Sequence, residues 1–146
     1  MKAAIIYTSV TGNTEDLARQ IYHGMQKQHI NVDFIAIDEL DYDTLPTYDI
    51  IAIGTYTWDN GDLPIEMEDL FIAFEEQDMK HVTTGVFGTG DSFYPYYCGA
   101  VDLFRDMLYV HTNLAVTLKI ELTPQQEDLI RCEKFCDRLT RTLVLA

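Results

Sequence analysis

Between residues 8 and 14 the chain reads Thr8-Ser9-Val10-Thr11-Gly12-Asn13-Thr14, with four hydroxyls, an amide and a glycine in seven residues. Glu15 follows, and apolar residues then recur at helical spacing, as in Leu17, Ile21 and Met25. A loop of this kind opening a helix can surround an anion. Free backbone N–H groups, the positive end of the helix dipole and side-chain hydroxyls all converge on it. An ATP-binding P-loop ends in Gly-Lys-Ser/Thr to handle a triphosphate and its magnesium, but no Lys or Arg lies between Thr8 and Thr14. The chemistry expected is a single terminal phosphate held by neutral groups. Thr and Asn also suit an ordinary N-capping turn, so this loop does not decide the matter by itself.

Two further stretches carry residues that could complete a site. Gly54-Thr55-Tyr56-Thr57-Trp58-Asp59-Asn60-Gly61-Asp62-Leu63-Pro64 places the only Trp of the chain beside Asn-Gly. That Trp is either a cover for the core or a flat surface for stacking a planar ligand. Gly88-Thr89-Gly90-Asp91-Ser92-Phe93-Tyr94-Pro95-Tyr96-Tyr97-Cys98 has two glycines that expose backbone, then aromatic residues at Phe93, Tyr94, Tyr96 and Tyr97. Some of these rings belong to the core. One facing Trp58 across a crevice would form a slot as thick as an aromatic ring system. A phosphate cradle at one end and an aromatic slot at the other is the shape of a flavin mononucleotide (FMN) site.

The elements between these loops are laid out to bring them together. Short β-branched runs at Ala3 to Tyr7, Val32 to Ile37, Ile50 to Gly54, Thr83 to Phe87 and Leu114 to Leu118 read as five strands. Amphipathic stretches at Glu15 to Gln28, Pro64 to Glu76 and Gly99 to Leu108 read as helices. A last helix is expected from Thr123 as N-cap and Pro124 at the first helical position to about Leu143, with Gln126 completing a capping box. The link from Asp41 to Tyr48, with Pro46, promises only a turn or two. Alternating β and α implies a doubly wound α/β sandwich, a five-stranded parallel sheet with helices on both faces. In the order 2-1-3-4-5 the reversal lies between the first and third strands, where such sheets bind ligands. The three unusual loops follow the first, third and fourth strands.

Composition narrows the function further. Ten Lys and Arg against 24 Asp and Glu give a net charge of −14, which repels nucleic acid and anionic membrane and favours partners with basic faces. A chain of 146 residues predicts a single domain over 1–146, and the charge predicts a monomer. The apolar run from Ala3 to Tyr7 is too short for a signal peptide or a membrane span, so a cytoplasmic location is expected. Cys98, Cys132 and Cys136 have no metal-ligand spacing and read as partly buried thiols of a reducing compartment. His23, His29, His81 and His111 are scattered and read as surface residues.

At these residues the sequence resembles the flavodoxin family over essentially its whole length. Ser9, Thr11, Gly12, Asn13 and Thr14 match the family's Ser/Thr-x-Thr-Gly-Asn-Thr loop. Thr57 to Gly61 with Leu63-Pro64 is similar to its Thr-Trp-Gly-Asp-Gly stretch, and Phe87 to Asp91, Tyr94 and Cys98 to Asp102 match its third loop. The resemblance implies a flavodoxin-like sheet of order 2-1-3-4-5 and one non-covalent FMN. It also implies a low-potential one-electron carrier, not an enzyme, that shuttles electrons between reductases and acceptor enzymes. It places Trp58 on the inner face of the flavin ring, Tyr94 on the outer face and Asp91 near the pyrimidine end. The candidate contacts are Thr8 to Thr14, Thr55 to Gly61, Thr89, Gly90, Asp91, Phe93, Tyr94, Tyr96, Tyr97 and Cys98. No long insertion interrupts the final strand, as in the short-chain class.

One departure bears on redox tuning. The family usually has Gly after the Trp, where the peptide turns its carbonyl toward N5 of the one-electron-reduced flavin, and here Asp59 stands. Asp reaches the required positive φ at a cost of about 1–2 kcal/mol, so the one-electron-reduced state is expected to be less stable than in Gly-bearing relatives unless Asn60-Gly61 takes over the turn. Around the loops lie Asp59, Asp62, Glu66, Glu68, Asp69, Asp91 and Asp102, which oppose added negative charge on the flavin or simply serve solubility. The rival activity is an NAD(P)H-dependent FMN or quinone reductase of the same fold, which needs room for nicotinamide where Tyr94 would stack. A phosphoacceptor domain would need acids where Thr8 and Ser9 stand. A specialised FMN partner for ribonucleotide reductase activation fits Trp58 and Leu63-Pro64 less well.

Overall fold

Five parallel strands make one sheet in the order β2-β1-β3-β4-β5, as expected. They are β1 (Lys2–Tyr7), β2 (Asn31–Ala36), β3 (Ile50–Tyr56), β4 (Thr83–Gly90) and β5 (Asn113–Glu121). The computed structural model describes the backbone of residues 1–58 and 61–144 and side chains as far as Arg141. Between the strands run α1 (Asn13–Lys27), α2 (Glu68–Glu76) and α3 (Gly99–His111), and α4 (Leu129–Val144) follows β5. The central strands β1, β3 and β4 are buried on both faces, which explains their continuous apolar runs in place of strict alternation. The edge strands β2 and β5 keep several residues partly exposed.

Two cores lie on opposite faces of the sheet. On one, Leu17 and Ile21 of α1 and Phe135 and Leu139 of α4 pack on Ile5, Ile50 and Phe87. On the other, Leu70 and Phe74 of α2 and Val101 and Phe104 of α3 cover Ala4, Ile6, Ile51 and Ile53. Burying a large aliphatic or aromatic side chain contributes roughly 1.5–3 kcal/mol, so these layers hold the strand ends in fixed relation. The carboxyl ends of β1 and β3 meet at the reversal, where Tyr7 pairs with Gly54 and the Thr8 N–H donates to the Gly54 carbonyl at 3.1 Å.

Several boundaries depart from the sequence reading. β3 runs on to Tyr56 and β4 to Gly90, so Thr55, Tyr56, Thr89 and Gly90 stand on rigid strand ends and not in loops. The last helix does not begin at Thr123-Pro124. Gln125 and Asp128 form the capping box over a 3-10 turn, Gln126–Asp128, and α4 follows from Leu129. The Asp41 to Tyr48 link is the short turn expected, a 3-10 segment over Tyr42–Thr47. All three cysteines are free and buried, and burial pushes Cys98 and Cys132 up to about 11 and Cys136 to about 12. They are neutral thiols at neutral pH.

Candidate functional site: a helix-capping loop and an aromatic-lined cavity

The first loop closes on itself before it meets α1. Gly12 takes φ 93°, a left-handed conformation open to glycine, and its carbonyl accepts the Asp16 N–H at 2.9 Å to start the helix. Ser9 Oγ accepts the N–H groups of Gly12 and Glu15, each at 3.2 Å. The loop is thereby curled around the helix N-terminus, where the first-turn N–H groups have no intrahelical partner. Val10 and Thr11 are exposed at its tip, and Asn13 is half-buried. Thr14 is buried, its hydroxyl 2.7 Å from that of Thr89, so it also locks α1 to the end of β4.

The second and third loops are fastened to each other. Trp58 and Asp62 exchange backbone hydrogen bonds of 2.9 and 2.8 Å in an isolated antiparallel bridge, and Gly61 takes φ 88°. Gly99 packs so closely on Gly61 that a Cβ on Gly99 would lie 2.9 Å from the Gly61 Cα. Thr57 Oγ1 accepts the Ala100 N–H at 3.1 Å, tying the chain just after β3 to the first turn of α3. Asp59 and Asn60 lie outside the described residues, and with them the expected effect of Asp59.

Between these loops lies a cavity of about 320 Å³ lined by Thr57, Gly90, Asp91, Tyr94, Pro95, Tyr96, Tyr97 and Cys98. Trp58 is 55% and Tyr94 70% exposed, so neither ring is part of the core. Tyr94 lines the cavity and Trp58 does not, so Tyr94 is the open aromatic surface at the cavity that a planar ligand would cover. Phe93 is 94% exposed and does not line the cavity. Tyr96 and Cys98 take positive φ, 62° and 51°, bending the chain back into α3. Asp91 caps its own turn, with Oδ1 accepting the Phe93 N–H at 2.9 Å. A larger hollow of about 460 Å³ follows the β5 edge, but none of the three loops lines it.

The acidic rim is less uniform than its sequence suggests. Asp102 is neutralised by Lys119 at 2.9 Å and Arg105 at 3.0 Å. Glu66 accepts two hydroxyl protons on one oxygen, from Tyr56 at 2.6 Å and Thr8 at 2.9 Å. Burial opposes ionisation of Glu66, but the bonds from Tyr56, its own N–H and Thr8 outweigh it and hold the carboxyl below its usual range. Burial, then the bond to Glu66, pushes Tyr56 up to about 12. This three-residue contact is the feature the sequence reading missed, because Glu66 counted there only as one of several rim carboxylates.

The residues 5–135 match the family model described as Flavodoxin. The chain belongs to the flavodoxin family. It is 44% identical over 138 residues to a probable flavodoxin 1 of Bacillus subtilis, covering 92% of this chain and 87% of that one. A flavodoxin of Maridesulfovibrio salexigens is 34% identical, with 88% and 92% covered. The solved structure of oxidised flavodoxin 1 from Bacillus cereus superposes with a TM-score of 0.89 at 35% identity, covering 97% of this chain and 98% of that one. Flavodoxins are electron-transfer proteins that bind flavin, and this chain is therefore an electron carrier and not an enzyme. Among the described residues no helix is long and apolar enough to cross a membrane, and no cluster of His, Cys, Asp or Glu could hold a metal ion.

Proposed function

We propose that this single-domain protein is a cytoplasmic, monomeric, low-potential one-electron carrier that holds one FMN non-covalently at the reversal of the sheet. The observation that carries the reading is a cation-free loop at the α1 N-terminus, tied by the Thr14–Thr89 hydroxyl contact to the strand end whose Gly90 and Asp91 line a cavity with exposed Tyr94. Ser9, Thr11, Gly12, Asn13 and Thr14 would hold the phosphate, and Thr55 to Gly61 with Thr89, Gly90, Asp91, Tyr94, Tyr96, Tyr97 and Cys98 would flank the ribityl chain and ring. The bound flavin supplies the redox chemistry.

The protein's part is binding, orientation and electrostatics. N–H groups and hydroxyls of the first loop fix the phosphate and so the depth of the ring in the slot. Trp58 and Tyr94 offer flat surfaces that exclude water from the ring faces. Asp62, Glu66, Glu68, Asp69 and Asp91 place negative charge on the same side of the molecule, and at an effective dielectric near 20 a carboxylate some 12 Å away opposes added negative charge by roughly 1.4 kcal/mol. Several together, less salt screening, favour a strongly reducing carrier. The same rim steers redox partners with basic faces, reductases on the donor side and acceptor enzymes on the other, onto the flavin edge.

Titration of the apoprotein with FMN, riboflavin and FAD, followed by quenching of flavin fluorescence, tests this assignment. FMN is expected to bind at one site, with riboflavin at least about tenfold weaker for lack of the phosphate. Equal affinity for FMN and riboflavin would remove the phosphate role of the first loop.

A further inference from the structure

Thr8 and Tyr56 stand at the carboxyl ends of β1 and β3, where hydroxyls would be free to serve an anion. Each hydroxyl has one proton to donate, and both donate it to Glu66 Oε1, at 2.9 and 2.6 Å. Glu66 lies on a 3-10 turn, Ile65–Met67, just before α2, and is 58 residues from Thr8 in sequence. Met67 beside it is fully buried and anchors that turn to the core, so the carboxylate is held from behind by packing. An ionised carboxylate is an acceptor only, and a bond to it is stronger than one between neutral groups.

Building on the FMN reading, we propose that Glu66 is a positioning residue that braces the mouth of the phosphate loop against the end of β3. It does so by taking the hydroxyl protons of Thr8 and Tyr56. With its proton committed, Thr8 offers the phosphate no donor. Phosphate recognition falls to Ser9 through Thr14, and Thr8 fixes where that loop begins. The side chain of residue 66 thus sets the affinity for the phosphate end of the ligand without touching the ring.

The test measures affinity of the apoprotein for FMN and for riboflavin in Glu66→Ala, Glu66→Gln, Thr8→Val and the double variant of Thr8→Val with Glu66→Ala, each checked for folding by circular dichroism. Glu66→Ala is expected to weaken FMN about tenfold and riboflavin by less than about twofold. Glu66→Gln, which keeps an acceptor oxygen at the same place, is expected to restore FMN binding to within about threefold. The double variant should bind FMN no more weakly than Glu66→Ala alone, because the two changes remove a shared bond. Unchanged FMN affinity in Glu66→Ala, equal losses for both flavins, no rescue by Gln, or additive losses in the double variant would each overturn the proposal. A wild-type apoprotein that binds neither flavin would instead overturn the FMN reading itself.

Discussion

Gly12 combines space with a conformational demand. Nothing lies within 4 Å of where its Cβ would be, but its φ of 93° is costly for any L side chain. Gly12→Val is therefore expected to leave the two cores intact and to weaken FMN about tenfold or more through strain of roughly 1–2 kcal/mol and a displaced loop, as read by fluorescence titration. Tyr94, 70% exposed, contributes little to stability before ligand binds. Tyr94→Ala should shift the apoprotein melting temperature by less than about 2 °C while lowering affinity for FMN and riboflavin alike, since a ring contact is common to both. Residues of this kind were legible in the sequence because their types are unusual for loops: a glycine among hydroxyls, aromatic residues beside a proline. Glu66 was not, because a carboxylate among carboxylates carries no signal until its partners, far away in sequence, are placed beside it.

At the scale of elements, the site depends on the close approach of Gly61 to Gly99, the first residue of α3. A Cβ at Gly99 would meet the Gly61 Cα and carbonyl oxygen, both at 2.9 Å, and backbone on both sides leaves no flexible group to give way. Gly99→Ala is expected to push the Gly61 backbone outward, destabilising the fold by about 1–3 kcal/mol in denaturant unfolding and weakening flavin binding. The link before β3 makes a different prediction. Tyr48 is buried and donates to Asp33 Oδ2 on β2 at 2.7 Å. Burial first, then this bond, pushes its phenol up to about 12. A group with a raised pKa in the fold contributes stability that is present below the unfolded value near 10 and is lost as pH rises toward 12, on the order of 2 kcal/mol here. Tyr48→Phe should flatten the fall of stability between pH 10 and 12 in urea unfolding. The order and kind of elements were readable because each strand is a compact apolar run and each helix has one apolar face. Ends were less readable: β3 and β4 extend through Thr55, Tyr56, Thr89 and Gly90 because ladder bonds to neighbouring strands carry them past Gly54 and Gly88, glycines that weaken the strand signal. The N-cap moved from Thr123 to Gln125, ahead of the 3-10 turn that leads into α4, because Asp128 completes the box there, accepting the Gln125 N–H at 2.9 Å.

The whole molecule carries a charge of −14, and its first, third and fourth strands all deliver their carboxyl ends to one side. A carrier of this kind should associate with a basic-faced redox partner at a rate that falls about tenfold or more between low salt and 0.5 M salt, measurable by stopped-flow electron transfer. A rate indifferent to salt would mean the acidic side is not the docking face. The central claim, that the protein moves electrons singly through bound FMN, is tested most directly by anaerobic stepwise reduction of the FMN-loaded protein, following the visible spectrum. The account predicts uptake in two resolved one-electron steps, the second at low potential, with no steady consumption of NAD(P)H by the protein alone. A single two-electron step, driven directly by NAD(P)H, would contradict it and point to a reductase.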